Sequence, residues 1–464
     1  MSFVPTFWRD RILRAHFLVN LGIGVLIALV FTVTASTQWG EVLLNAAFDV
    51  MVRYEHSSLT ADAQGKSPLF FVEITPQEYR QWGEPLITPR DRLASLVETA
   101  WQKGAPVVAL DVILDKPDLL DPAGDAKLRG LLERMLRENA RTQVVLPVRV
   151  GSEGDLRPHL FEDLLERRTA DGRKILHRAA PIVVASESDL LNRFWGAYEV
   201  GRDAHGKPQI IWSLPVVAAA LYHDARSGTA AASAELDRAA AALLAAGSRE
   251  PREAHGSEGE GHHVSIGTSL IHLSALQTGP APEAATTMYL AGESHSLPYT
   301  QRIRFLIPAG VRDRRDAGNF RPGLSPDSLA GRIVLIGNGS PETGDILATP
   351  VGRMPGMFLI GNAINTIVSG KMPVHLPAWQ HFAIEALIIV FAAWLFLHFH
   401  STLAQILSSL VFIVLLVPFS WAIYQQWGLF FNFLVPVLGM QLHKTADGFE
   451  EMIASRGKKH HHHH

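Results

Sequence analysis

Three apolar runs near the carboxyl end, 379–397, 402–424 and 427–442, constrain this chain more than any other feature. The first reads WQHFAIEALIIVFAAWLFL; a helix of that length extends roughly 28 Å, about the thickness of a bilayer's hydrocarbon core. Only the stretch 398–401 and the pair Gln425 and Gln426 interrupt the runs. Backbone polar groups in lipid must be satisfied within their own segment, so the pattern predicts three consecutive antiparallel membrane helices joined by tight turns. Trp379, Trp421, Tyr424 and Trp427 fall at the expected boundaries, where amphipathic rings are favoured. Glu385 is the one carboxylate within these runs; at that depth it either snorkels toward the outer edge or marks a contact with a partner helix or a proton-sensitive latch. Pro418 and Pro436 are expected to kink the last two spans and so provide a compliant segment for signal transfer.

A fourth apolar run, 17–36, follows Arg9, Arg11 and Arg14. It exceeds the roughly 7–15 residues of a cleaved signal's apolar core, which favours an uncleaved anchor. The three arginines hold the amino terminus in the cytoplasm, which places 37–378 outside. Three further spans return the tail, 443–459, to the cytoplasm, where Lys444, Arg456, Lys458 and Lys459 agree with that orientation. The terminal run 460–464 resembles a purification tag and plays no part in metal arguments. With a net charge of -3 and scattered arginines, no basic stripe points to nucleic acid. The chain has no cysteine, which removes disulfides, thiolate zinc sites and cysteine nucleophiles.

The outer region alternates helical and strand-like segments. A helical approach at 41–55 leads to LFFVEI at 69–74, a helix over 91–103 and PVVALDVIL at 106–114, which together predict a strand–helix–strand crossover with a parallel pair. Further strands are expected at 142–149, 181–185, 302–307 and 332–336, with helices near 125–138, 214–225 and 356–370. The predicted fold class is therefore α/β, a layered, mostly parallel sheet in an extracytoplasmic domain, plus four transmembrane helices. Residues 226–263 differ in texture, an alanine-rich helix followed by GSREPREAHGSEGEGHH, and are read as a flexible insertion. His255, His262 and His263 in that tip are assigned no metal role.

Four segments in order carry a family resemblance: FDVMVRYE at 48–55, FVEITPQEYRQWGEPLITPRDRLASLVE at 71–98, GAPVVALDVILDKPD at 104–118, and GRIVLIGNGSPETGDILATPVGRMPGMFLIGNAINTIVSGK at 331–371. Together with the carboxyl-terminal spans they resemble the CHASE family, type two, the extracellular sensory domain associated with bacterial cyclases and histidine kinases. The resemblance covers roughly 40–442; its ends are specific, while 150–300 matches in length and texture only. It implies a module outside the inner membrane that is followed by a cytoplasmic effector, here supplied in cis by a longer chain or in trans by a partner. One departure stands out. The family's first strand ends in an aspartate, whereas here Thr75 holds that position, with Glu73 two residues earlier.

In an open α/β sheet the usable crevice lies at the carboxyl ends of the strands. Thr75, Gln77, Asp111 and the loop 337–345, GNGSPETGD, are expected to converge there, with Asn338, Ser340 and Asp345 as further ligand-binding candidates. The loop's glycines permit close backbone approach to a small anion or polar ligand, or merely allow turns. It lacks the Lys-Ser/Thr ending of a P-loop, so nucleotide hydrolysis is poorly supported. Asp111 and Asp345 are the attractive carboxylate pair; the structural alternative pairs one of them with Arg90 or Arg332 and leaves Asp345 capping a turn. No catalytic residue, metal site or cofactor is assigned, since neither a nucleophile elbow nor a metal-spaced histidine pair is found. Asp49 and Arg53, at i and i+4, are expected to form a membrane-proximal ion pair.

The expected function is an inner-membrane receptor that relays a periplasmic cue, possible small ligands included, to a cytoplasmic effector. The alternatives are a non-sensing assembly subunit and, third, a membrane-anchored enzyme. The expected partners are the lipid membrane, that effector and further copies of the chain, with Phe48, Val50 and Tyr54 as apolar contacts of a homo-oligomer.

Overall fold

The computed structural model describes residues 18–19, 21–26, 29–30, 38–59, 68–151, 153–186, 188–247, 262–273, 300–307, 314–316, 329–341, 345–375, 378–398, 403, 406–407 and 410–430. They fall into two compact units. One holds the described residues up to Met51 and from Pro373 onward; the other holds those from Val52 to Leu273 and from Thr300 to Met372.

The second unit is built on β1 (Leu69–Ile74), β2 (Val107–Asp111), β3 (Gln143–Pro147) and β4 (Leu176–Ala179), with β12 (Arg314–Asp316) and β13 (Ile333–Asn338) added from much later in the chain. Among the described residues these make one six-stranded sheet in the order β12-β1-β13-β2-β3-β4, with every neighbouring pair parallel. A parallel sheet must be covered on both faces, which is why LFFVEI and VVALD read as nearly continuous apolar runs.

Phe70, Val72, Val108, Leu110, Val144, Val334 and Ile336 face one core. That core is closed by α3 (Arg90–Gln102) and α4 (Pro122–Arg137) through Leu93, Leu96, Val97, Leu128, Leu132 and Met135. The intervening residues face α6 (Leu214–Ser227) and α8 (Gly356–Val368). There the Phe71 ring lies 4.8 Å from Phe358, and Gly361 leaves room for it, since a Cβ at that position would stand 2.5 Å from the ring. Each such buried side chain contributes about 1.5–3 kcal/mol.

The α/β layering agrees with the sequence, but several details differ. β1 and β2 are parallel yet not adjacent, because β13 pairs with both. The strand expected at 181–185 is β5 (Val183–Ala185), which joins β6 (Asn192–Gly196) and β11 (Thr300–Arg302) in a separate antiparallel sheet. Residues 303–307 are buried without being a strand. β7 (Tyr198–Arg202) and β8 (Pro208–Trp212) form an antiparallel hairpin that the sequence reading missed. The alanine-rich helix is present as α7 (Ala231–Gly247), 248–261 lie outside the described residues, and His262 and His263, expected in the flexible insertion, belong to β9 (His262–Ile266), which pairs with β10 (Ser269–Leu273). His255 lies outside the described residues.

α1 (Gln38–Ser58) contributes to both units, its residues through Met51 to the first and the rest to the second. In the first unit Phe48, 1% exposed, sits edge-on to Tyr424 with ring centroids 6.1 Å apart. Phe48 is therefore core and not a contact for another copy, whereas Val50 and Tyr54 are 51% and 61% exposed. α9 (Ala378–His398) matches the first apolar run and carries Glu385, which is buried. Pro418 opens α10 (Val417–Trp427) directly after a π-helical turn at Phe412–Leu416, a break of the kind a proline produces. Leu429–Phe430 (β17), expected to open the last span, is extended and pairs with β16 (Val374–His375). Pro436 lies outside the described residues. Among the described residues no helix is long and apolar enough to cross a membrane.

Candidate functional site

The carboxyl ends of β1, β13 and β2 bring together a row of three residues in register: Glu73 opposite Gly337, and Gly337 opposite Asp111. Glu73 is 2% exposed and Asp111 half-buried. Asp345, eight residues beyond Gly337, joins them from the start of β14 (Ile346–Thr349), which pairs with β15 (Gly352–Pro355) ahead of α8. Burial pushes the Asp111 carboxyl up to about 7, and the charge of Asp345 adds to that rise. Burial likewise raises Asp345 to about 6, opposed by a hydrogen bond from the Gly356 amide.

Asp345 also holds the amino end of α8. The Gly356 N–H donates to the Asp345 carbonyl at 2.8 Å, and a Cβ on Gly356 would stand 2.6 Å from both carboxylate oxygens. Neither Gly337 nor Gly339 has a positive φ, so they do not serve as turn glycines. A Cβ at Gly337 would lie 2.7 Å from Cβ of Met357, and one at Gly339 would lie 1.9 Å from Oε1 of Glu73. The close approach these glycines permit is filled by the protein's own side chains.

Of the other expected residues, Thr75, Asn338, Ser340 and Arg90 are engaged in structure. Thr75 is the N-cap of α2 (Pro76–Gln81): its Oγ1 accepts from the Glu78 N–H at 3.2 Å, and its own N–H donates to Glu78 Oε2 at 3.0 Å. Gln77 is exposed on the same short helix. Asn338 Oδ1 accepts from the Ser340 N–H at 2.8 Å, and Ser340 is fully buried. Arg90 stands away from both candidate partners. Buried to 1%, it lies 3.4 Å from Asp125 and donates to the carbonyls of Thr88, Ile113 and Lys116, which fixes the loop after β2. Arg332 precedes β13 at the opposite end of the sheet, its guanidinium 5.9 Å from the Phe70 ring centre.

A second cluster was not foreseen. Arg304, fully buried in the segment between β11 and β12, donates from Nε to both Glu55 oxygens at 3.0 Å and from Nη2 to Oε1 at 2.6 Å. Its backbone N–H donates to Thr366 Oγ1 at 3.0 Å, and that hydroxyl donates back to the Arg304 carbonyl at 3.1 Å. The Ile307 N–H donates to Asn362 Oδ1 at 3.1 Å, and His56 Nδ1 lies 3.1 Å from the Phe305 carbonyl. One buried strip therefore ties the last turn of α1 to α8. Nearby, Arg53, expected to pair with Asp49, donates its Nε–H to the Pro350 carbonyl at 2.8 Å.

A cleft of about 1420 Å³ opens at the other end of the sheet, between β4, α6 and α7. The arginines at its edge are largely engaged, Arg173 with Asp171 and Arg178 with Glu162 and Glu166.

A family model for the CHASE2 domain matches residues 24–398, most of the chain. The chain belongs to the CHASE2 family. No curated protein and no solved structure matches it. CHASE2 domains are extracellular sensory domains. Within this CHASE2 domain, the acidic row lies at the start of α8 and the Glu55–Arg304 strip lies near its end.

Proposed function

We propose that the chain is a multi-pass inner-membrane receptor whose CHASE2 domain lies in the periplasm, residues 37–378, and relays a cue to a cytoplasmic effector supplied in cis or in trans. The CHASE2 match over 24–398 carries this reading, because it runs from the first apolar segment to the second. The four spans rest on the sequence, and three observations in the first unit support them. Phe382, Leu387, Val390, Phe391 and Trp394 of α9 expose their side chains, as lipid-facing residues would. Gly24 lets the first apolar run approach α9 closely, since a Cβ there would stand 2.5 Å from Ile389 Cγ2. The pairing of Leu429–Phe430 with Val374–His375 puts the turn after α10 beside the chain entering α9, as expected if both lie on the outer side.

In this reading the signal leaves through two covalent routes, α1 and α8, which the Arg304 strip couples. A shift of about 1–2 Å between packed helices is a usual scale for such relays. A four-span receptor passes that shift on most directly as a pair, and Val50 and Tyr54, one helical turn apart on α1 and both exposed, form the pairing surface. Val50→Asp is expected to convert a dimer in lipid discs to monomer without lowering the thermal midpoint; a wild-type monomer in the same discs contradicts the pairing.

The location is tested with a single cysteine. The chain has none of its own, and Leu120 is 95% exposed in the CHASE2 domain. Leu120→Cys should react with a membrane-impermeant maleimide in intact spheroplasts as fully as after lysis. Labelling that requires lysis would place the domain inside and remove the receptor reading.

A further inference from the structure

The α/β unit leaves few large apolar side chains open to solvent, and most of them stand together. Among its described residues from 68 to 372 those exposed are Leu86 (100%), Ile113 (54%), Leu119 (86%), Leu120 (95%) and Leu190 (71%). Leu190 belongs to a separate turn between β5 and β6. The other four stand on two connections at the carboxyl end of the sheet, 83–89 ahead of α3 and 112–121 ahead of α4. A single exposed leucine is ordinary, but four large apolar groups gathered on adjoining loops mark an interaction surface.

Arg90 makes the two connections one surface. Its buried guanidinium donates to the carbonyl of Thr88 at 3.2 Å on the first, and to those of Ile113 and Lys116 at 3.2 and 3.0 Å on the second. A Cβ on Gly124 would stand 3.3 Å from the Asp91 amide nitrogen, so the first turns of α3 and α4 touch as well. The backbone that bears the leucines is itself bonded in place. The Glu84 N–H donates to the Tyr79 carbonyl at 3.0 Å and the Tyr79 hydroxyl to the Pro85 carbonyl at 3.2 Å, which fixes the turn carrying Leu86. The N–H groups of Leu120 and Asp121 donate to Asp118 Oδ1 at 3.0 and 3.2 Å, and the Asp118 N–H donates to Asp125 Oδ2 at 2.7 Å. Loops ordered in this way give up little freedom on binding, which favours recognition.

We propose that this end of the domain docks a different protein, whose contact face is an apolar groove edged by lysine or arginine. The two connections hold Glu84, Asp115, Asp118 and Asp121 against one cation, Lys116. A symmetric pairing of two copies through this surface would set those carboxylates against each other. A cationic rim around an apolar groove matches both the leucines and the charge beside them.

Lipid is the other apolar surface within reach of an inner-membrane receptor, and the direction of α8 argues against it. Met357 lies beside Gly337 and Gly361 beside Leu335, so α8 runs antiparallel to the strands and ends toward their amino ends. In the proposed topology the chain passes from that end of α8 into the second span. The leucines then stand at the far end of the sheet, roughly 20 Å back along α8, and the partner is periplasmic. That placement rests on the receptor reading.

The test puts a photoreactive benzophenone side chain at position 120 of the full chain, in intact cells that make it natively, with position 174 as the control. Lys174 is exposed at the other end of the sheet. Illumination is expected to join position 120, and not position 174, to one protein other than this chain. That protein, identified by mass spectrometry and purified, is then titrated against the full chain in lipid discs. Leu120→Asp should raise the Kd roughly 30-fold or more without lowering the thermal midpoint, as loss of a central apolar anchor does. Glu84→Lys should weaken binding and Lys116→Glu should tighten it, and both differences should shrink as salt is added. An adduct with a second copy, adducts with lipid alone, or none above the control overturns the proposal; so does a captured protein whose binding ignores these substitutions. Each of these outcomes leaves the labelling of Leu120→Cys, and with it the receptor reading, untouched.

Discussion

Replacing Glu55 with alanine is expected to destabilise the α/β unit by about 3–5 kcal/mol, because it leaves a guanidinium buried without its carboxylate. Arg304 is 0% and Glu55 4% exposed at the side chain, so solvent cannot take over the lost contacts. The reverse change, Arg304→Ala, strands the carboxylate and opens a cavity where the arginine stem packed, and should cost a similar amount. Replacing both together by methionine removes both charges and roughly keeps the volume. That double variant should recover most of the loss, since an apolar pair avoids the desolvation that an ion pair must offset. Chemical denaturation of the full chain, following the transition of the α/β unit, measures all three. A loss below about 1 kcal/mol for Glu55→Ala would mean that the pair behaves as an exposed one, and the coupling of α1 to α8 would lose its basis.

Much of this unit could be read from the residues. LFFVEI, VVALD, QVVLP and IVLIGN are apolar runs of the right length, and each is a strand of the central sheet. β4 and β12 were missed because LHRA and RRD are short, charged outer strands of the sheet, where pairing on one side relaxes the demand for apolar residues. The place of β13 between β1 and β2 was not legible, since no local pattern states which neighbour a strand returning from far along the chain will take. IRFLI at 303–307 has the look of a strand because it is buried, but side-chain bonds from α8 hold its backbone.

The same reasoning applies to the sites. Asp111 at the end of a buried strand, and Asp345 after the glycine loop, were visible as a pair because strand ends in a parallel sheet converge. Glu73 enters the sequence reading only as the neighbour of the departure at Thr75, although a charge inside FFVEI is itself a signal. Arg304 within an apolar run carries a comparable signal: a buried guanidinium demands a carboxylate, but which one depends on tertiary contact across 249 positions of sequence. Thr75, Asn338 and Ser340 were read as ligand groups where they serve caps and turns, roles for which short polar side chains are equally suited.

Topology remains the largest effect, since a wrong side inverts every functional statement. In the proposed topology, Arg9, Arg11 and Arg14 before the first run, and Lys444, Arg456, Lys458 and Lys459 after the last, argue for the same orientation independently. Glu385 of α9 is 6% exposed, and the proposed span would tolerate it because it is buried and not turned to lipid. Fusions of a reporter active only in the periplasm and of one active only in the cytoplasm, placed after Ser36, within 398–401 and after Lys444, read the arrangement directly. The account predicts outside, inside and inside; a cytoplasmic signal after Ser36, or a periplasmic one after Lys444, would contradict it.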